Sequence, residues 1–72
     1  MKEFTIEYTG GGRSMPPVMA RDHRSAIVKA AKASLGISYF RKHCKVTEID
    51  PKTFDRTYFI VSDGETEQYF TI

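Results

Sequence analysis

The stretch DHRSAIVKAAKASLG, residues 22–36, predicts the helix around which the fold is organised. Asp22 is a suitable N-cap, because its carboxylate can accept hydrogen bonds from free backbone N–H groups of the first turn. Gly36 suits the positive-φ residue that ends many helices. Small and apolar residues share one face of this helix: Ala26, Ile27, Ala30, Ala31 and Ser34, with Leu35 at its margin. Such small side chains let a helix lie close to a sheet.

Strand-like segments lie on both sides of this helix. Before it, KEFTIEY (residues 2–8) alternates apolar and polar side chains, and PPVMA (16–20) reads as an edge strand because proline cannot donate to a ladder. After it come CKVTEID (44–50), RTYFIVS (56–62) and EQYFTI (67–72), with a tight turn at Asp63-Gly64 between the last two. The segment ISYFRKHC (37–44) has no clean period, and we expect a loop that buries Tyr39 or Phe40.

The predicted fold is a two-layer α+β domain spanning residues 1–72, in the order β-β-α-β-β-β. One helix packs on one face of a mostly antiparallel sheet. The alternation in the last hairpin predicts a core of Phe59, Val61, Phe70 and Ile72. The opposite face of the sheet is predicted to carry a mixed set of side chains: Glu3, Thr5, Glu7, Tyr58, Ile60 and Tyr69.

Length and composition favour a cytoplasmic protein. The chain has 72 residues, 40% of them hydrophobic, which is typical of one small globular domain. Its single cysteine, Cys44, cannot form an internal disulfide, and no apolar run approaches the roughly 18 residues of a membrane span. The alternating, charged N-terminus does not read as a signal peptide. We expect no association with a membrane.

Charge is unevenly distributed along the chain. Residues 13–45 carry eight basic side chains and one acidic one, whereas residues 46–72 carry two basic and six acidic ones. The basic segment supports one alternative function, nucleic-acid binding, in which cations follow a phosphate backbone. The residues assigned to that alternative are Arg21, Arg24, Lys29, Lys32, Arg41 and Lys42. Positive charge near the helix C-terminus also has a structural explanation in the helix dipole.

The sequence argues against several chemistries. The segment YTGGGRSMPPVMARDH (8–23) lacks the lysine of a phosphate-binding loop, and a strand separates its glycines from the helix. It is interpreted as a hairpin connection whose tip residue, Arg13, contacts a partner. His23, His43 and Cys44 do not have the spacing of a zinc site or of a Cys-His nucleophile. We therefore expect no enzymatic activity, no cofactor, no metal and no small-molecule substrate.

The main functional hypothesis is a small regulatory or accessory module that binds another protein. Tyr58, Ile60 and Tyr69 form an aromatic and aliphatic patch on the predicted outer face of the sheet, which resembles interface material. The proline-containing arm and the final strand are further expected to offer open edges for strand addition. The partner is expected to be a protein, with a second copy of the chain in a homodimer as one form of it.

A resemblance points the same way. VMARDHRSAIVKAAK (18–32) followed by KVTEIDP (45–51) resembles a strand–Ala–helix–strand arrangement of small phage and bacterial proteins, small phage inhibitors of RNA polymerase among them. It covers less than half of the chain, at packing positions: Ala20, Ala26, Ile27, Ala30, Val46 and Thr47. It implies a non-catalytic regulatory protein of phage or mobile-element type and transfers no functional residue. The helix here is basic where that of the inhibitors is acidic.

Overall fold

A computed structural model describes residues 1–12 and 15–72. Two helices pack on a five-stranded antiparallel sheet, which confirms the α+β class and the predicted order of strands around α1. The elements are β1 (Lys2–Tyr8), β2 (Val18–Ala20), α1 (His23–Leu35), α2 (Ile37–His43), β3 (Thr47–Glu48), β4 (Phe59–Ser62) and β5 (Glu67–Thr71).

The sheet has the strand order β2-β1-β4-β5-β3, so β1 and β4 lie next to each other near its middle. Their antiparallel register pairs Ile6 with Val61, and the next ladder pairs Phe59 with Phe70. Because paired residues project to the same side of a sheet, these four side chains share one face. That face is the one covered by α1.

The core lies between α1 and this face of the sheet. Its fully buried large side chains are Phe4, Ile6, Ile27, Val61 and Phe70. The predicted helix stripe is confirmed over its first three turns, where Ala26, Ile27, Ala30 and Ala31 are buried. Ser34 and Leu35 are exposed instead. Ser34 lines a surface groove against the Met15–Met19 segment, beyond the part of α1 that meets the sheet.

The ends of α1 are formed as the sequence predicts. The Asp22 side chain accepts a hydrogen bond from the Ser25 backbone N–H at 2.7 Å. This bond is the main cause of a lowered pKa at Asp22. At the other end, Gly36 has φ 90° and its N–H donates to the Lys32 carbonyl. A positive φ is readily adopted by glycine alone, so Gly36 separates α1 from the next helix.

The last hairpin differs from its prediction at one residue. Val61 and Phe70 are buried and Phe59 packs partly against the core, but Ile72 is 38% exposed. Ile72 follows the end of β5 at Thr71, so no neighbouring strand holds it in the sheet.

Two segments were predicted incorrectly. Residues 37–43 form the helix α2 rather than a loop; Phe40 packs against the core, whereas Tyr39 remains 53% exposed. A two-turn helix with one core contact shows no apolar periodicity, which explains the wrong prediction. The third strand is also shorter than predicted. Only Thr47–Glu48 is assigned as strand, and the Ile49 N–H extends the pairing to the Tyr69 carbonyl at 2.9 Å.

Candidate protein-binding face

We call the sheet face turned away from α1 the open face. In the strand registers its central part carries Glu3, Thr5, Glu7, Ile60, Ser62, Glu67 and Tyr69, and Tyr58 continues it beyond the start of β4. One row crosses three strands, since Glu7 pairs with Ile60 and Ile60 pairs with Tyr69. Directly opposed side chains in such a ladder lie about 4.5–5.5 Å apart at Cβ. The predicted patch residues are therefore true neighbours.

Aromatic side chains on the open face contact one another edge to face. The rings of Tyr58 and Tyr69 are 5.9 Å apart at an angle of 83°, and Phe54 meets Tyr58 at 6.3 Å and 76°. The guanidinium of Arg56 lies 5.7 Å from the Phe54 ring centre. We call Phe54, Tyr58, Ile60 and Tyr69 the aromatic cluster. Its members are half-buried rather than fully exposed, because the rings shield one another.

Phe54 is a cluster member that sequence reasoning missed. It lies in the connection between β3 and β4, after a turn in which the Thr53 and Phe54 N–H groups donate to the Asp50 carbonyl at 3.1 and 3.0 Å. The only indication in the sequence was its aromatic side chain, four positions before Tyr58. It carried no strand periodicity, so nothing in the sequence assigned it to the open face.

Tyr58 is held in place by the end of β1. Its carbonyl accepts from the Thr9 N–H at 3.0 Å, and its own N–H donates to the Thr9 hydroxyl at 2.9 Å. The hydroxyls of Tyr8 and Thr57 lie 2.8 Å apart beside this pair. These bonds continue the β1–β4 ladder past the assigned strands. They fix the backbone that carries the cluster.

The charged side chains in the strand registers of the open face are all carboxylates: Glu3, Glu7 and Glu67. The Tyr69 hydroxyl donates a hydrogen bond to Glu67 Oε1 at 3.0 Å. This bond is the main reason that the pKa of Tyr69 is raised, since loss of the proton would place two negative charges side by side. Hydroxyl and carboxylate groups thus border the apolar cluster.

The turn between β4 and β5 anchors the hairpin to α1. Asp63 Oδ1 accepts from the Glu65 and Thr66 N–H groups at 2.9 and 2.8 Å, which lowers the pKa of Asp63 from 3.8 to about 2. Thr66 in turn offers its carbonyl and hydroxyl to His23 Nε2, each at 3.2 Å. His23 is 8% exposed and meets Phe4 edge-on at 4.9 Å. It has the structural, first-turn position predicted for it.

The residues of the nucleic-acid alternative divide into two groups. Arg24 Nη1 donates to the Val46 carbonyl at 2.9 Å, and its guanidinium lies 5.6 Å from the Phe70 ring centre. Lys29 Nζ donates to the Met19 carbonyl at 3.0 Å, and Lys32 Nζ lies 5.8 Å from the Phe40 ring centre. These three cations hold neighbouring elements onto α1. The other three are exposed on the surface: Arg21, Arg41 and Lys42.

Two shallow depressions flank the outer side of α1. One, of about 380 Å³, is lined by Arg24, Ser25, Val28, Lys29 and Lys32. The other, of about 370 Å³, is an apolar groove between α1 and the Met15–Met19 segment. Arg13, predicted to contact a partner from the tip of the preceding loop, lies outside the described residues, as does Ser14.

The edges of the sheet differ from those expected. The final strand β5 lies between β4 and β3, and β3 pairs with it over residues 69–71; the edge strands are β2 and β3. On β2, the Met19 carbonyl accepts a hydrogen bond from Lys29 Nζ. The expectation of an open edge along the final strand is therefore wrong over residues 69–71, which β3 covers, whereas β2 is an edge strand.

Comparisons with protein-family models, with curated proteins and with solved structures found no match to this chain. Within the described part of the chain, neither helix is long and apolar enough to cross a membrane. In the same residues, no three His, Cys, Asp or Glu side chains converge in a way that would hold a metal ion.

Proposed function

We propose that this protein is a small non-enzymatic regulatory or accessory module that binds another protein through its open face. The observation that carries the proposal is the aromatic cluster. Tyr58, Ile60 and Tyr69 lie together on the sheet face opposite α1, and Phe54 extends them. A cytoplasmic setting and an origin in phage or mobile elements belong to this proposal. They rest on the single cysteine and on the sequence resemblance.

The composition of the cluster suits a protein interface. Aromatic side chains are enriched at interfaces, where they bury large areas and retain a polar group for orientation. The edge-to-face contacts of Tyr58 with Phe54 and Tyr69 restrict the rings before any partner arrives. Restriction in the free protein lowers the entropy lost on binding, so such a cluster is a favourable anchor.

A cross-linking experiment tests the location of the interface. A photoreactive phenylalanine analogue at Ile60 is expected to cross-link a protein partner in cells of the native host. The same analogue at Ala33, an exposed position on α1, serves as the matched control. Cross-linking that depends on position 60 and is lost when Tyr69 is also replaced by serine supports the proposal. A partner captured from position 33 and not from position 60 would overturn it.

The second candidate function is nucleic-acid binding by the α1 side. It is favoured by one observation: the 380 Å³ depression is lined by three cations and no carboxylate. Binding of duplex DNA or single-stranded RNA at about 50 mM salt should then weaken steeply as salt rises. Lys29→Gln with Lys32→Gln removes two of the three lining cations and should weaken the complex further. No detectable complex with either nucleic acid at low salt would remove this candidate.

A further inference from the structure

We infer that the segment bound by the open face is basic and presents arginine to the aromatic cluster. This inference rests on the proposed function and specifies its partner class: a protein surface or peptide with arginine among apolar residues. The proposed function by itself does not specify the charge of the partner.

The charge of the open face favours a basic partner. Glu3 and Glu7 of β1 and Glu67 of β5 are exposed, and no lysine or arginine occupies a described strand position of this face. Glu7 lies in the same cross-strand row as Ile60 and Tyr69, and Glu67 lies two residues before Tyr69 on β5. An apolar centre is thus bordered by carboxylates on β1 and β5, while Arg56 lies at its Phe54 end. Complementary charge in a partner favours association and fixes its orientation.

The aromatic rings of the cluster favour arginine over lysine in that partner. The ring planes of Tyr58 and Tyr69 meet at 83°, so the two rings of the cluster are nearly perpendicular to each other. Arg56 already lies 5.7 Å from the Phe54 ring centre, so one member of the cluster binds a guanidinium within the molecule. Arginine can stack on a ring and bind a carboxylate with two parallel N–H donors, whereas lysine cannot do both.

Other occupants fit the open face less well. An acidic partner or a nucleic-acid backbone would meet Glu3, Glu7 and Glu67 with like charge. Two copies joined symmetrically through this face would bring the same carboxylates together. A second copy presenting its basic α1 side is compatible in charge, and concentrating the free protein distinguishes it from a foreign partner.

The test uses the full, ¹⁵N-labelled chain and three capped synthetic peptides. The first is acetyl-Gly-Arg-Val-Arg-Val-Arg-Gly-amide, and the other two carry lysine or glutamate in place of every arginine. We expect the arginine peptide to shift the backbone signals of Glu7, Ile60 and Tyr69. The lysine peptide should bind about threefold or more weakly than the arginine peptide, and the glutamate peptide should leave these signals unchanged.

Variants that replace two glutamates by glutamine test whether binding depends on the open face or only on the net charge of the protein. Glu7→Gln with Glu67→Gln should weaken the arginine peptide about fivefold or more, and the new amide on β5 can still accept from the Tyr69 hydroxyl. Glu48→Gln with Glu65→Gln makes the same change of net charge at exposed positions outside the open face. This second pair should leave the affinity unchanged within about twofold. Equal weakening by both pairs would overturn the inference.

The remaining outcomes are equally decisive. Binding of the arginine and glutamate peptides with the same affinity at the open face overturns the inference but leaves the proposed function intact. Open-face shifts that appear on concentrating the free protein identify a second copy as the occupant and overturn the foreign partner. No shift with any peptide overturns the inference as well. In that case, cross-linking from position 60 still tests the proposed function independently.

Discussion

At the scale of single residues, the structure shows that the basic side chains in and around α1 have different structural roles. Arg24 and Lys29 bind backbone carbonyls of other elements, whereas Arg21 makes no such bond within the described residues. The sequence predicted a cluster of positive charge and could not predict this division. Which carbonyl a long side chain reaches depends on elements distant in sequence, such as Val46, 22 positions from Arg24.

Arg24→Ala should lower the free energy of unfolding by about 1–2 kcal/mol, since it removes a charged donor to the Val46 carbonyl and the stacking on Phe70. Arg21→Ala, the matched control, should change it by less than about 0.5 kcal/mol. Urea denaturation at neutral pH measures both. Equal effects of the two substitutions would show that Arg24 contributes only surface charge.

Asp63 should make stability depend on acid pH. Its pKa is lowered from 3.8 to about 2 in the folded protein, mainly by the Thr66 and Glu65 N–H donors. The carboxylate therefore stabilises the fold above its ordinary pKa, and this contribution is lost as the pH falls through about 2. The urea midpoint of Asp63→Ala should lie below that of the wild type at neutral pH, and the difference should shrink as the pH approaches the lowered pKa.

The control for this prediction is Asp55→Ala, at an exposed aspartate in the connection before β4. Its urea midpoint should follow that of the wild type at every pH. A difference between the wild type and Asp63→Ala that stays constant from neutral to strongly acid pH would contradict the account of the turn.

At the scale of elements, the sequence predicted best what local chemistry decides. Asp22, Gly36 and the alanine stripe were sufficient to place α1, and alternation was sufficient for β1 and β5. The helix α2 was missed, since it is two turns long and buries only part of Phe40. Strand order was beyond a single sequence. That β3 covers the edge of β5 is decided by long-range pairing, such as that of Thr47 with Thr71.

The contact between α1 and β2 gives a prediction at this scale. Lys29 Nζ binds the Met19 carbonyl of the edge strand β2, so the lysine places a positive charge beside an edge that is open to pairing. Lys29→Ala should increase concentration-dependent self-association, measured by light scattering after size-exclusion chromatography. Lys32→Ala, which removes the same charge from the Phe40 ring, should not. Identical behaviour of the two variants would show that charge alone, and not edge protection, keeps the chains apart.

At the scale of the whole molecule, the fold separates two surfaces of different chemistry. The α1 side carries the cations of residues 21–42, and the open face carries Glu3, Glu7 and Glu67 around the aromatic cluster. The candidate patch of Tyr58, Ile60 and Tyr69 followed from period-two alternation alone, which is why the sequence sufficed to predict it. Its acidic border was also in the sequence. Its extension by Phe54 required the folded connection before β4.

The most direct test of binding through the open face uses the partner that cross-linking identifies, purified in its free form. Its affinity is measured for two matched variants of this protein. Ile60→Thr with Tyr69→Thr alters the open face and keeps strand-favouring side chains, whereas Arg41→Gln with Lys42→Gln alters exposed cations of α2. We expect the first pair to weaken binding about tenfold or more by isothermal titration calorimetry, and the second pair to leave it within about twofold. Full affinity in the open-face variant, with loss in the cation variant, would contradict this expectation.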